Sequence, residues 1–292
     1  MGDKMTEIFV DDIIPLLLKR TDKTNKGDFG KLLSFVGSDR YRGAAVLSSL
    51  GALRCGVGIL RVCCNEQVAQ AVVFASPEAT LLPLGEKNFD ISKERMNRIL
   101  DYACPTAVLC GCGISEDEKA KDTVFNLISV CNAPVLLDAS ALNIVSENTE
   151  ILKKANCEII VTPHMGEFSR LTHRSIDEIK ADREKIVADF ASEHGVCVVL
   201  KDWFTLIATP QGNIFRSSYG NSGLSRGGSG DILSGMIASF LAQGLGACNS
   251  AKCGVVLHGH SADLCARRLS ATAMQPHEIL TDLSDIFLRY GL

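Results

Sequence analysis

Two common signatures of a nucleotide site are missing from this sequence. There is no GxxxxGK[ST] loop: GSDRYRGA (37–44) carries glycines six apart but no Lys-Ser/Thr after the second. No full GxGxxG follows the first strand-like run, and GVG and GCG are only fragments of one. No C-x-x-C pair occurs among the twelve cysteines, and most lie in apolar runs such as ILRVCC, AVLCGC and GVCVVLK. Reduced, buried thiols are therefore expected, rather than zinc or disulfides. HGH (258–260) looks metal-like, but residues two apart on a helix diverge, so one of its histidines is read as packing. No window holds the roughly 18 uninterrupted apolar residues of a membrane span. A net charge of −4 argues against nucleic acid as the main partner. The N-terminal stretch places acidic residues ahead of its short apolar run, unlike a signal peptide, so a cytoplasmic protein is expected. MGDKMT fits a myristoylation signal only as an isolated match. No linker-like composition and no internal repeat divide the chain, so residues 1–292 are read as a single domain.

What is present is a chain of 46% hydrophobic residues in which apolar runs alternate with helical patterns. Strand-like runs lie at 31–37, 58–64, 106–113, 133–140, 158–164 and 196–201, and a hairpin at 205–215. Helical patterns cover 43–55, 65–75 and 116–131, and close the chain near 230–243, 248–269 and 275–290. Continuous apolar strands between helices predict an α/β fold: a mostly parallel central sheet with helices on both faces. Ligands of such sheets bind beyond the C-terminal strand ends. Polar residues gather there: Gly37-Ser38, Gly111, Gly113, Asp138, Thr162-Pro163-His164 and Lys201.

SRGGSGDILSGMIASFLAQG (225–244) concentrates the chemistry. Ile232, Leu233, Met236, Ile237, Phe240 and Leu241 recur on one helical face, and Gly244 suits the helix end. Gly227, Gly228 and Gly230 then form a tight loop at a helix N-terminus, a ready phosphate site. Asp231 is open to two readings. It is either a plain N-cap, or a base acting on the group that receives a phosphoryl. Three glycines in four positions favour the second, since an N-cap needs none of them. A late GGSGD before a long helix is the pattern of ribokinase-like folds.

Several stretches, in order, resemble the ADP- or ATP-dependent NAD(P)H-hydrate dehydratases, a ribokinase-like family. They include KGDFGKLLSFVGSDRYRGAAVLSSLGALRCGVGILRV, LLDASALNIV, IIVTPHMGEFSRLT, VVLKDWFTLIATPQGNIF and YGNSGLSRGGSGDILSGMIASFLAQG. The resemblance covers most of residues 26–268. It implies a lyase that repairs hydrated NADH and NADPH: the hydrate hydroxyl is phosphorylated by ADP or ATP, and phosphate is then eliminated. It implies Asp231 as the base, and Ala44, Gly113, His164 and Asp231 as contacts to the hydrate. Lys201, Asp202, Trp203, Phe204, Thr205, Gly228, Ser229 and Gly230 would hold the nucleotide. Glu167 and Asn221 would orient phosphate, water or Mg²⁺, with no fixed protein-only metal site. A homo-oligomer is expected. His164 is alternatively a capping residue, and Lys201 alternatively a solvated strand end.

The chain departs from the family pattern at four places. Val36 stands where the first of two glycines is usual, and Ser140 where DADAL has its second Asp. Asp202 stands where Gly is frequent, and Ser225-Arg226 where Ala-Thr is more usual. Asp202 then bears on the ADP/ATP preference, and Arg226 either contacts phosphate or faces solvent. Two alternatives remain: a small-alcohol kinase on the same fold, and a nucleotide-binding relative without turnover.

Overall fold

The computed structural model describes residues 5–85 and 89–292. The myristoylation match begins at residues 1–4, outside the described residues. Among the described residues ten strands form one sheet: β1 (Thr6–Glu7), β2 (Lys31–Phe35), β3 (Ile59–Cys64), β4 (Thr80–Pro83), β5 (Ala107–Cys110), β6 (Val135–Leu137), β7 (Ile159–Val161), β8 (Cys197–Lys201), β9 (Thr205–Ala208) and β10 (Ile214–Ser217). Their order is β1-β10-β9-β8-β7-β6-β5-β2-β3-β4. Every neighbouring pair is parallel except β8–β9 and β9–β10, so β9 alone runs against the rest.

Successive residues of a strand point to opposite faces, and here both faces are apolar. Leu32, Leu60, Leu109, Leu136, Ile160 and Val199 enter one core, with the helices Arg42–Arg54, Ser229–Ala242 and Gly246–Leu269. Leu33, Val108, Val135, Leu137, Val161 and Val198 enter the other, with Glu118–Val130, Met165–Thr172 and Arg183–His194. Among the described residues no helix is long and apolar enough to cross a membrane.

The expected strands and hairpin are present. Two edge strands, β1 and β4, and the helix Lys93–Ala103 were not anticipated. One reading of the glycine-rich segment needs correction, and one alternative falls away. The helix Ser229–Ala242 has no single apolar face: its residues are buried from Ile232 through Ala242, because it lies between the sheet and two further helices. Asp231 is not its N-cap. Gly228, at φ +97°, takes that position, a conformation glycine adopts without strain, and Asp231 falls three residues inside. Gly244 (φ +87°) does lie just past the helix end.

Candidate active site

The C-terminal ends of β5, β6, β7 and β8 deliver Cys112, Asp138, His164 and Lys201 to one edge of the sheet. The backbone is tight there. Gly113 (φ +71°) has no room for a side chain: a Cβ would lie 2.7 Å from that of Ala44 and 2.8 Å from that of Tyr41. Ala44 and Gly113, 69 positions apart in the chain numbering, are thus direct neighbours. Ala139, after β6, holds φ +51°, a costly conformation for a residue with a side chain, and opens the helix Ser140–Ser146. Ser140 is simply the first residue of that helix.

Asp138 is buried and fully partnered. Lys201 Nζ donates to its Oδ1 at 2.9 Å, Thr162 Oγ1 to Oδ1 at 2.7 Å and Ser234 Oγ to Oδ2 at 2.8 Å. Burial opposes its ionisation, but the Lys201 charge and these donors prevail and hold the carboxyl below its ordinary range. Lys201 shows the converse. Burial disfavours its charge, yet Asp138 and Glu167 keep the ammonium above its usual pKa. The alternative of a solvated lysine at a strand end does not hold.

Asp231 stands beside this pair. Ligand-type atoms of Cys112, Asp138 and Asp231 lie within 4.8 Å of one another. Burial first, and then the Asp138 charge, push the Asp231 carboxyl up to about 6, while Lys201 and the Cys112 thiol act the other way. The first α-helical bond of its helix runs from Ile232 N–H to Gly228 O (3.2 Å), so the amides of Gly230 and Asp231 precede the helical ladder. Two glycines fix the helix against Arg42–Arg54. A Cβ at Gly51 would lie 2.5 Å from Ile232 O, and one at Gly235 2.0 Å from Ser48 O.

A cavity of about 740 Å³ opens at Lys201, lined by the expected Lys201–Thr205 segment with Ser229 and Gly230. Gly228 is not in its wall; a Cβ there would lie 2.5 Å from Leu47, so its work is the turn. Trp203 is 74% exposed and meets Phe204 edge-on at 4.3 Å, with the Arg216 guanidinium over both rings. Asp202 is neutralised by Arg183 at 2.7 Å, so its carboxylate does not face the cavity unpaired. Arg226 donates to the Thr272 carbonyl, which ties two loops together.

His164 is a helix cap and a cavity-wall residue at once. Its Nδ1 accepts from the N–H groups of Gly166 (3.0 Å) and Glu167 (3.3 Å), and Glu167 Oε2 accepts from His164 N–H (2.8 Å). Asn221 also lines the cavity, but its amide is committed: it donates to Ala262 O and Asp263 Oδ1 and accepts from Gly223 N–H. His258 is buried against Ser229, its pKa driven down to about 4 by burial, with Nε2 unpartnered. His260 instead packs on Tyr219, so the two histidines do not share a ligand.

The donor set does not fit a resident Mg²⁺. Hard cations want several free oxygens, and the one close trio among the described residues offers a thiol and a carboxylate held by lysine. What the arrangement provides is a chain of neighbours: the cavity, Gly230 and Lys201, the two aspartates, Cys112, and beside Cys112 the close contact of Gly113 with Ala44; Asp231, Gly113 and Ala44 are not in the cavity wall. Sequence reasoning placed Asp138 at a strand end but assigned it no role, and passed over Cys112 as one more buried thiol.

The chain matches a family model described as NAD(P)H-hydrate dehydratase over residues 32–285. It is 33% identical to the ADP-dependent (S)-NAD(P)H-hydrate dehydratase of Bacillus subtilis (strain 168), across 94% of this chain and 95% of that one. Bifunctional NAD(P)H-hydrate repair enzymes of Thermofilum pendens and Moorella thermoacetica are each 32% identical over 91% and 90% of this chain, which spans about half their length (51% and 50%). Among solved structures, the ADP/ATP-dependent NAD(P)H-hydrate dehydratase from B. subtilis co-crystallised with ATP/Mg²⁺ superposes with a TM-score of 0.84 at 30% identity, over 99% of each chain. A ribokinase-like superfamily protein from Enterococcus faecalis V583 gives 0.84 at 24% identity, over 98% and 96%, a likeness of fold.

Proposed function

This chain belongs to the NAD(P)H-hydrate dehydratase family, and from that premise we propose that it restores hydrated NADH and NADPH at the expense of ADP or ATP. The nucleotide occupies the cavity, its base beside Trp203 and its phosphates at Lys201 and the amides of Gly230 and Asp231. The hydrate's nicotinamide end approaches the backbone at Ala44 and Gly113, with His164 in the cavity wall. Asp231 takes the proton of the hydrate hydroxyl as its oxygen attacks the terminal phosphorus. The bond from that phosphorus to the bridging oxygen breaks, leaving AMP from ADP or ADP from ATP. Lys201 and the helix start offset the charge that develops. The ring nitrogen's lone pair then expels phosphate, and loss of a proton from the adjacent carbon restores the C5–C6 double bond. The products are NADH or NADPH, inorganic phosphate and the shortened nucleotide.

One observation carries this reading: Asp231, its carboxyl raised to about 6 first by burial, follows the cavity-lining Gly230 and stands within 4.8 Å of Asp138 and Cys112. It is ionised near neutral pH, yet a better proton acceptor than an ordinary aspartate. Mg²⁺ enters with the nucleotide phosphates and takes no resident site. The buried thiols fit a reducing cytoplasm. The exposed Val73 and Phe74 suit an oligomer contact.

The test is incubation with either hydrate and ADP or ATP, following the return of the reduced-nicotinamide absorbance and the release of inorganic phosphate. A small-alcohol kinase leaves the phosphoryl group on its acceptor, and a binding relative turns nothing over. Either outcome refutes the proposal.

A further inference from the structure

The reaction above uses Asp231 and Lys201 directly and leaves Asp138 without a part. Yet Asp138 is 2% exposed and accepts from Lys201, Thr162, Ser234 and, at 3.7 Å, the Cys112 thiol, four groups from four separate stretches of the chain. A buried carboxylate is costly unless such donors compensate it. Lys201 is 63 positions away in sequence and Ser234 is 96. Ser234 lies one turn beyond Asp231 on the same helix, so the Ser234–Asp138 bond fastens that helix to the end of β6. Gly230 lies between the same groups: a Cβ there would be 3.5 Å from Lys201 Nζ and 4.0 Å from Asp138 Oδ2.

We propose that Asp138 is a positioning residue for the reaction: it clamps the Lys201 ammonium against the start of the helix Ser229–Ala242, and its fixed negative charge makes Asp231 a stronger base than an isolated aspartate. This rests on the reading of Asp231 as the proton acceptor. Two adjacent carboxylates do not ionise independently; the one that holds the cation and the hydrogen bonds keeps its charge, and the other holds its proton longer. Asp138 has the cation and Asp231 does not, which divides the labour between them.

The other groups around Asp231 do not replace this effect. Lys201 and the Cys112 thiol both favour the ionised carboxylate. So does the helix N-terminus. From the helix Gly246–Leu269 comes His258, held neutral by burial. From the helix Arg42–Arg54, Arg42 reaches to Gln67 and Arg54 to Ser284. The turn Pro276–Glu278 brings Glu278, whose carboxylate accepts from Gln275 N–H at 2.6 Å. Burial raises Asp231 most, and Asp138 is the one neighbour among the described residues whose charge raises it further.

Asp138→Asn keeps the shape and an oxygen for Lys201 while removing the charge. The measurement is a carboxyl-carbon NMR titration of full-length protein labelled at aspartate, with the Asp231 signal assigned by its loss in Asp231→Asn. In the wild type the Asp231 signal is expected to titrate near 6. In Asp138→Asn its midpoint falls by about 1 pH unit or more, the usual scale for one close like charge. The acid limb of the kcat profile falls with it, and turnover at neutral pH drops on the order of tenfold, a fraction of a full general-base contribution. A folded Asp138→Asn protein with an unmoved Asp231 midpoint overturns the proposal. If that variant does not fold, the wild type decides: an Asp231 midpoint in the ordinary carboxylate range overturns it as well. The titration needs no turnover. Inactivity of the wild type on both hydrates therefore counts against the reaction itself, separately from the charge coupling.

Discussion

The Cβ that Gly235 lacks would lie 2.0 Å from the carbonyl oxygen of Ser48. The two helices that carry Asp231 and Ala44 therefore meet backbone to backbone. Gly235→Ala gains about 1 kcal/mol of helix propensity. It must nevertheless separate the helices, and overpacking of this kind costs about 1–3 kcal/mol or more. The expected result is a lower melting temperature together with reduced turnover, because Asp231 moves with its helix. Unchanged stability and activity would show that the contact yields freely.

Asp231→Asn is expected to lower turnover by a factor on the order of 10² to 10⁴, the scale of a general base. Its stability should go the other way. A carboxyl raised from 3.8 to about 6 in the folded protein binds its proton more tightly there than in the unfolded chain. The wild type therefore loses stability as pH rises between these values, and the full penalty is present above 6. At pH 7.5 the variant should be more stable by about 1–3 kcal/mol, since each pH unit separating the folded and unfolded midpoints is worth about 1.4 kcal/mol. That advantage should vanish below pH 4. Urea denaturation at pH 4 and 7.5 checks the sign, and a less stable variant at pH 7.5 would contradict it.

Lys201→Ala should do more than weaken nucleotide binding. It strips Asp138 of its counter-ion, and breaking a buried pair costs about 3–5 kcal/mol. The double variant Lys201→Ala with Asp138→Asn should regain most of that stability while nucleotide affinity stays low. Calorimetric titration with ADP, alongside thermal melting, separates the two effects. Full recovery of affinity in the double variant would remove Lys201 from the phosphate site.

The cysteines should react in order of exposure. Cys104 is exposed, Cys157 and Cys248 are half-buried, and nine others are buried. Burial also holds Cys110 and Cys253 up at about 12, which keeps them as thiols. Ellman's reagent should label one thiol rapidly in the native protein and all twelve after denaturation. Cys104→Ser should abolish the rapid phase.

The parallel core was legible because strands covered on both faces are written as unbroken apolar runs, as in AVLC and the CVVL of β8. The edges were not. β1 is two residues long, and β4 reads Thr-Leu-Leu-Pro with both ends exposed, so neither carries a pattern longer than chance. The helix Ser229–Ala242 was found, but its burial on every side depends on helices that sequence periodicity does not count. At the site, motifs pointed to Lys201, His164, Gly113 and Asp231, and folding brings them to one edge of the sheet. The cap alternative for Asp231, already disfavoured by the three glycines, falls because Gly228 takes that position by geometry. Asp138 was visible as a polar strand end only. Its meaning lies in partners 63 and 96 positions away, which no local pattern reaches.

Trp203 is the one tryptophan of the chain, and it stands largely in solvent at the cavity rim. All indole emission from this protein therefore originates a ring's width from where the purine is proposed to lie. The unoccupied protein should fluoresce at the long-wavelength, water-exposed end of the range. Occupation of the cavity should quench that signal or shift it to the blue, with no second indole to dilute the change. The fold thus carries its own optical gauge of occupancy, and binding isotherms can be recorded on unlabelled protein without waiting for turnover.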